Sequence, residues 1–217
     1  MDSLNDFLIQ KPRPLPVIVA VDRSGSMSSN GKIDALNIAL KDFIKSIKDE
    51  DSGKAEIHLA LFSFGGESAR CDIPLTPVTE INVTTYQAQG GTPMGGAFKM
   101  LKALIEDKEQ IPSRSYKPTI VLLTDGQPTD DYLSSMNNLI GEGRSSKAFR
   151  IAMAIGDDAD HDMLSKFVSS PEYLVAGENA RDIRKFFRFV TMSVTSRMKS
   201  QTPDLPPPIP EDDTLDF

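Results

Sequence analysis

The chain of 217 residues carries 31 acidic against 24 basic side chains, a formal net charge of −7, and 39% of it is hydrophobic. That is enough apolar material for one substantial α/β core. It is too acidic for a general nucleic-acid binder, and it has no run approaching the ~20 apolar residues of a membrane helix.

In chain order, residues 1–13 read as an N-terminal arm running into Lys11-Pro-Arg-Pro-Leu-Pro16, whose prolines disfavour helix. Val17 to Val21 is an apolar run stopped by Asp22, a buried strand. Residues 33–48 place Leu36, Leu40, Phe43, Ile44 and Ile47 on one helical face. Residues 55–64 alternate as a strand, and residues 71–78, with Pro74 and Pro77, suit an edge strand. Helix is expected over 93–109, with Pro93 in its first turn. A buried strand over 120–123 and a helix over 131–144 follow, the latter capped by Asp130 or Asp131. A strand at 149–155, a short helix at 160–168, a short strand at 172–175 and a long helix at 180–198 complete the pattern. Phe186, Phe187, Phe189 and Val190 form the core stripe of that last helix.

Strands alternating with helices predict an α/β domain over 14–199, a doubly wound, Rossmann-like and mainly parallel sheet with one antiparallel edge strand and helices on both faces. From residue 200 the chain turns proline-rich and acidic: Asp204, Glu211, Asp212, Asp213 and Asp216 account for most of the net charge, and a mobile tail over 200–217 is expected.

Three segments carry chemistry. Asp22-Arg-Ser24-Gly-Ser26 sets one carboxylate and two hydroxyls on a turn at a strand end. Gln89-Gly-Gly-Thr92-Pro-Met holds a hydroxyl among glycines, and Thr124-Asp125-Gly126 ends a second apolar strand in an acid. Both acids belong at the carboxyl edge of one parallel sheet, where such sheets place their sites. Oxygen donors of mixed charge suit a hard divalent cation such as Mg²⁺. Gly25 is expected to take backbone angles that a Cβ would resist, and Arg23 and Met27 to line the rim.

Asp22, Ser24, Ser26, Thr92 and Asp125, in that order and spacing, resemble the metal-ion-dependent adhesion site of the von Willebrand factor A superfamily. Gly-Gly-Thr-Pro-Met and Thr-Asp-Gly-Gln-Pro-Thr-Asp are most similar to the small bacterial tellurium-resistance-associated (TerY-like) group. The resemblance implies a Mg²⁺ site, with Mn²⁺ or Ca²⁺ as substitutes, at which a protein partner supplies a Glu or Asp carboxylate. It implies a non-enzymatic interaction module, a scaffold in a bacterial stress-response or tellurium-resistance-type system. The tail's own carboxylates have the chemistry to fill the open metal position, in the same molecule or another.

Cys71 stands alone, so no intrachain disulfide can form, and the acidic N-terminus has no long apolar core. A reducing, cytoplasmic setting is therefore expected. His58 and His161 read as structural or solvated, and no Gly-x-Ser-x-Gly elbow or P-loop lysine accompanies them. The competing reading is a Mg²⁺-dependent phosphohydrolase of haloacid-dehalogenase type, with Asp22 as nucleophile. That chemistry wants a second Asp two residues on, where this chain has Ser24.

Overall fold

The computed structural model describes residues 12–49, 55–83 and 85–206. The expected arm up to residue 11 and the tail from residue 207 lie outside the described residues.

Six strands form one sheet in the order β3-β2-β1-β4-β5-β6. They are β1 (Arg13–Asp22), β2 (Ala55–Gly65), β3 (Ser68–Pro77), β4 (Thr119–Thr124), β5 (Phe149–Ile155) and β6 (Leu174–Gly177). All pair in parallel except β3, which runs antiparallel to β2 at the edge. The helices are α1 (Lys32–Asp49), α2 (Met94–Glu106), α3 (Leu133–Gly141), α4 (His161–Phe167) and α5 (Ala180–Lys199). This is the expected doubly wound sheet with its antiparallel edge.

Handedness fixes the layers. From β1 the chain crosses through α1 to β2 on one side, and from β4 through α3 to β5 on the other. Right-handed crossovers in opposite directions put α1 and α3 on opposite faces. Phe43 of α1 meets Phe187 of α5 at a centroid distance of 5.7 Å, and Phe98 of α2 stacks on Phe167 of α4 at 5.6 Å. So α1 and α5 cover one face, while α2 and α4 share the other with α3. Between them β1 and β4 are apolar on both sides: Val17 to Val21 and Ile120 to Leu123 are all buried. The stripe Phe186, Phe187, Phe189 and Val190 is buried as expected.

The strand β1 begins earlier than its apolar run, at Arg13, and takes in Pro14 and Pro16. A central strand tolerates them because β4 joins the ladder only from Val17. The Pro14 carbonyl accepts from the Tyr116 amide (2.9 Å), on the β4 side. The missing N–H groups of Pro14 and Pro16 therefore face that side, below the first β4 rung.

Helix α3 is shorter than expected and begins at Leu133, with no side-chain cap on Tyr132. Asp130 is spent elsewhere: its two carboxylate oxygens accept from the Gly95 and Gly96 amides at the start of α2 (2.8 and 2.9 Å). A carboxylate on exposed amides at a helix N-terminus is favourable both as a cap and against the helix dipole.

The first residues of the acidic tail are packed. Arg197, 2% exposed on α5, donates to the carbonyls of Pro203 (2.8 Å) and Lys117 (2.7 Å) and to the Thr119 hydroxyl. Asp204 accepts from the Lys117 amide (2.7 Å). Burial pushes the Arg197 guanidinium down to about 10, and Asp204 pulls the other way, so it stays charged at neutral pH. Replacing Arg197 by Met leaves three acceptors without their donor, of which the Pro203 carbonyl and the Thr119 hydroxyl are buried, and each buried one costs about 1–3 kcal/mol. The expected loss, allowing for relaxation, is about 3 kcal/mol of unfolding free energy, read from a urea titration; an unchanged midpoint would mean that the clamp contributes nothing.

Candidate metal site at the carboxyl edge

The direction of winding reverses between β1 and β4, and the carboxyl ends of two such strands are where doubly wound sheets place their ligands. Asp22 closes β1 and Asp125 follows β4, and both are 0% exposed. Beyond Asp22 the chain enters two linked 3-10 turns over Gly25–Gly31. The Ser24 amide donates to Asp22 Oδ1 (2.7 Å), folding the loop back over its own strand end. Thr124 at the end of β4 donates its hydroxyl to Asp22 Oδ2 (2.6 Å).

The second carboxylate is tied from the first loop. Ser26 donates its hydroxyl to Asp125 Oδ1 (2.6 Å), and Ser26 Oγ lies 3.0 Å from Ser24 Oγ. Thr92, 5% exposed, comes from the third segment. A Cβ built on Gly126 would lie 3.5 Å from Thr92 Oγ1 and 3.8 Å from Ser26 Oγ, so both hydroxyls border the space in front of Gly126. All five side chains expected at the site are thus brought to one place.

Their spacing suits a small cation. Oxygens on adjacent corners of a Mg²⁺ octahedron stand roughly 3 Å apart, since each is ~2.1 Å from the ion. The Ser24–Ser26 and Ser26–Asp125 separations of 3.0 and 2.6 Å are of that size. No cluster of three or more His, Cys, Asp or Glu side chains is placed to hold a metal among the described residues. Any cation at this place would have two carboxylates, Asp22 and Asp125, and the neighbouring hydroxyls as its protein donors.

The Thr92 loop is laced to both neighbours. Gly25 donates its amide to the Gly90 carbonyl (2.8 Å), and Gln89 donates to the Arg23 carbonyl (2.7 Å). Gly90 has φ +60, and a Cβ there would sit 2.5 Å from Gly66 Cα, so only glycine fits. Gly25 differs from expectation: its backbone is not left-handed. A Cβ there would lie 3.4 Å from the Gly90 carbonyl oxygen, an ordinary van der Waals contact, so neither backbone angle nor crowding demands glycine at this position. On the other flank, Thr129 accepts from the Thr92 amide (2.9 Å) and donates its own amide to the Thr92 carbonyl (3.0 Å).

Arg23 and Met27 do not form a rim. They are 6% and 0% exposed. The Arg23 guanidinium donates to the Gly65 carbonyl (3.2 Å) and, with the Gln89 amide oxygen turned toward it, to Gln89 at 2.8 and 3.2 Å. It props the Thr92 loop from below. Residues that the sequence did not reveal are Thr124, Thr129, Asp130 and, above all, Lys32. The Lys32 ammonium stands 2.8 Å from Asp125 Oδ2 with its side chain 12% exposed. Thr124, Thr129 and Asp130 lie inside the Thr-Asp-Gly-Gln-Pro-Thr-Asp segment, whose turn residues and acids mark it in the sequence. Lys32 lies ten residues beyond Asp22 with no pattern to mark it.

Cys71 is exposed, and desolvation with Asp72 nearby pushes its thiol up, away from nucleophilic use. No described helix is long and apolar enough to cross a membrane.

A doubly wound α/β domain with an oxygen-lined cleft at its switch point defines a narrow class. The sequence pattern of the von Willebrand factor type A domain matches residues 17–189, and the chain belongs to that family. Among solved structures, the pilus adhesin SpaC of Lactobacillus rhamnosus GG is 16% identical with a TM-score of 0.70, over 87% of this chain and 31% of that one. Proximal thread matrix protein 1 of the mussel byssus, a structure with a zinc-occupied MIDAS motif, is 18% identical with a TM-score of 0.63, over 83% of this chain and 45% of that one. The vWF domain of the type V pilus tip protein Mfa5 of Porphyromonas gingivalis is 10% identical with a TM-score of 0.63, over 87% of this chain and 97% of that one. At these identities the likeness is one of fold, and the chain spans about a third of SpaC. No curated protein matches the chain in sequence.

Burial raises the Asp22 carboxyl above its ordinary 3.8; the hydrogen bonds from Ser24 and Thr124 oppose the rise, and the Asp125 charge adds to it. A carboxyl raised on folding stabilises below its unfolded value, and that stability is lost as pH climbs through the folded value. In chelator at pH 7, Asp22→Asn is therefore expected to melt higher than the native chain. The difference should shrink toward pH 3.8. Thermal melts at the two pH values check it, and a variant that melts lower at pH 7 would refute it.

Proposed function

We propose that this domain is a metal-dependent protein-interaction module whose site is a metal-ion-dependent adhesion site for Mg²⁺. The observation that carries the reading is the chain of oxygens Ser24, Ser26 and Asp125 at the switch point, with Thr92 bordering the same space. Ser24, Ser26 and Thr92 are the hydroxyl ligands; Asp22 and Asp125 act directly or through water. An all-oxygen set with no Cys or His favours a hard ion over Zn²⁺. Mn²⁺ or Ca²⁺ can substitute.

The hydroxyls are neutral, so a bound ion keeps much of its charge and supplies an electrophilic position for a carboxylate. The partner's contribution is a Glu or Asp side chain. Within the protein, Thr124 and the Ser24 amide orient Asp22, Ser26 orients Asp125, and Arg23 with Thr129 holds Thr92 in place. Likeness to the tellurium-resistance-associated group supports a scaffolding role in a bacterial cytoplasmic stress system. The mussel protein, with zinc in its MIDAS motif, supports a divalent ion at a site of this kind.

The geometry counts against the phosphohydrolase reading. A nucleophilic Asp needs a free, approachable oxygen. Asp22 is 0% exposed, and both of its oxygens accept hydrogen bonds.

Calorimetric titration of Mg²⁺ and Mn²⁺ into the purified chain tests the proposal. Asp22→Ala and Asp125→Ala should each weaken binding at least tenfold, about 1.4 kcal/mol. A synthetic peptide of residues 201–217, with five acidic side chains, is the acidic probe: its binding should need the metal and vanish with Asp125→Ala. Metal affinity indifferent to both alanine variants, or phosphatase turnover lost with Asp22→Asn, would overturn it.

A further inference from the structure

We infer that Lys32 is a tethered cation that competes with the divalent ion for Asp125, so that the metal must displace an ammonium in order to bind. The inference deepens the metal-site reading and rests on it. Asp125 is wholly buried, and neither oxygen is free: Oδ1 accepts from Ser26 at 2.6 Å and Oδ2 from Lys32 at 2.8 Å. A doubly charged ion among Ser24, Ser26 and Asp125 would share one carboxylate with a singly charged ammonium. At such separations, away from bulk water, the repulsion between the two is strong.

Two features argue that Lys32 is not there for the helix or as a passive prop. It is the first residue of α1, where a positive charge opposes the helix dipole. Its ammonium is a compact charge on a flexible four-carbon stem, able to leave. The way out is short: Lys32 is already 12% exposed, and Ser28, Ser29, Asn30 and Gly31 beside it are all exposed. In the ion-free molecule Lys32 neutralises Asp125 and keeps the loops assembled. Once the ion is bound, the ammonium is released toward the rim, beside the carboxylate that a partner brings. Metal affinity is therefore set below what the oxygen set alone would give, and an acidic partner helps to restore it.

The test pairs calorimetry with melting on the native chain and Lys32→Met, which keeps length and loses charge. Lys32→Met should bind Mn²⁺ at least tenfold more tightly. It should melt below the native chain in chelator and at or above it in saturating Mn²⁺. A lysine with only a structural role gives a variant that melts lower in both conditions and binds no better, and that result overturns the inference while leaving the metal site standing. Should neither protein bind metal, the site reading falls as well. A second measurement needs no variant: the rate at which an amine-reactive reagent labels Lys32, read by peptide mass spectrometry, should rise severalfold when Mn²⁺ is added. An unchanged rate in a chain shown to bind Mn²⁺ overturns the inference.

Discussion

Two buried carboxylates at the ends of neighbouring strands are the constraint around which the rest is arranged. Asp22 and Asp125 carry like charge and are both wholly buried, and the Asp125 charge adds to the protonation bias of Asp22. Such a pair persists only if each carboxylate is given donors. The donors are exchanged crosswise: Thr124, beside Asp125, serves Asp22, and Ser26, from the Asp22 loop, serves Asp125. Each acid is thus held by the other's strand junction. The two loops cannot shift independently, and the third loop is threaded onto them through Gly25, Arg23 and Thr129.

The crosswise exchange also decides how much freedom the edge retains. Hydroxyls are weak, uncharged donors that can turn without leaving their place. On the proposed metal reading, such a site would hand Asp125 to another cation by rotating Ser26 and moving the Lys32 stem, while the strands beneath stay as they are. A cluster richer in carboxylates would need compensating charge at all times.

Much of this was legible in the sequence because the signals were local. The apolar runs before Asp22 and before Asp125 announced two buried parallel strands, and Pro74 with Pro77 announced the edge strand. The five oxygen-bearing residues could be named since each follows a strand or sits among glycines. What was missed is tertiary. Arg23 sits between site residues in sequence, yet it turns inward because β2 ends in Gly65, whose carbonyl takes its guanidinium. Asp130 precedes α3 but caps α2, since α2 is the helix whose amides reach it. Lys32 falls just before the helix expected over 33–48, and only the folded chain shows that its ammonium meets Asp125. The prolines of β1 misled about where the strand begins, because the missing rungs depend on where β4 joins.

The clamp at Arg197 has a mechanical consequence. It fixes Pro203 beside Thr119, the first residue of β4, while Arg13 at the start of β1 reaches the Arg114 carbonyl (2.7 Å). Both flanks of the described residues therefore lie at the amino ends of the two central strands, and the oxygen donors lie at their opposite ends. Tension between anything gripped at the cleft and either flank of the chain runs lengthwise down β1 and β4. The ladder hydrogen bonds along those strands would then share the pull as a set, sheared together, and would not open one after another as they do when a strand is peeled from its end.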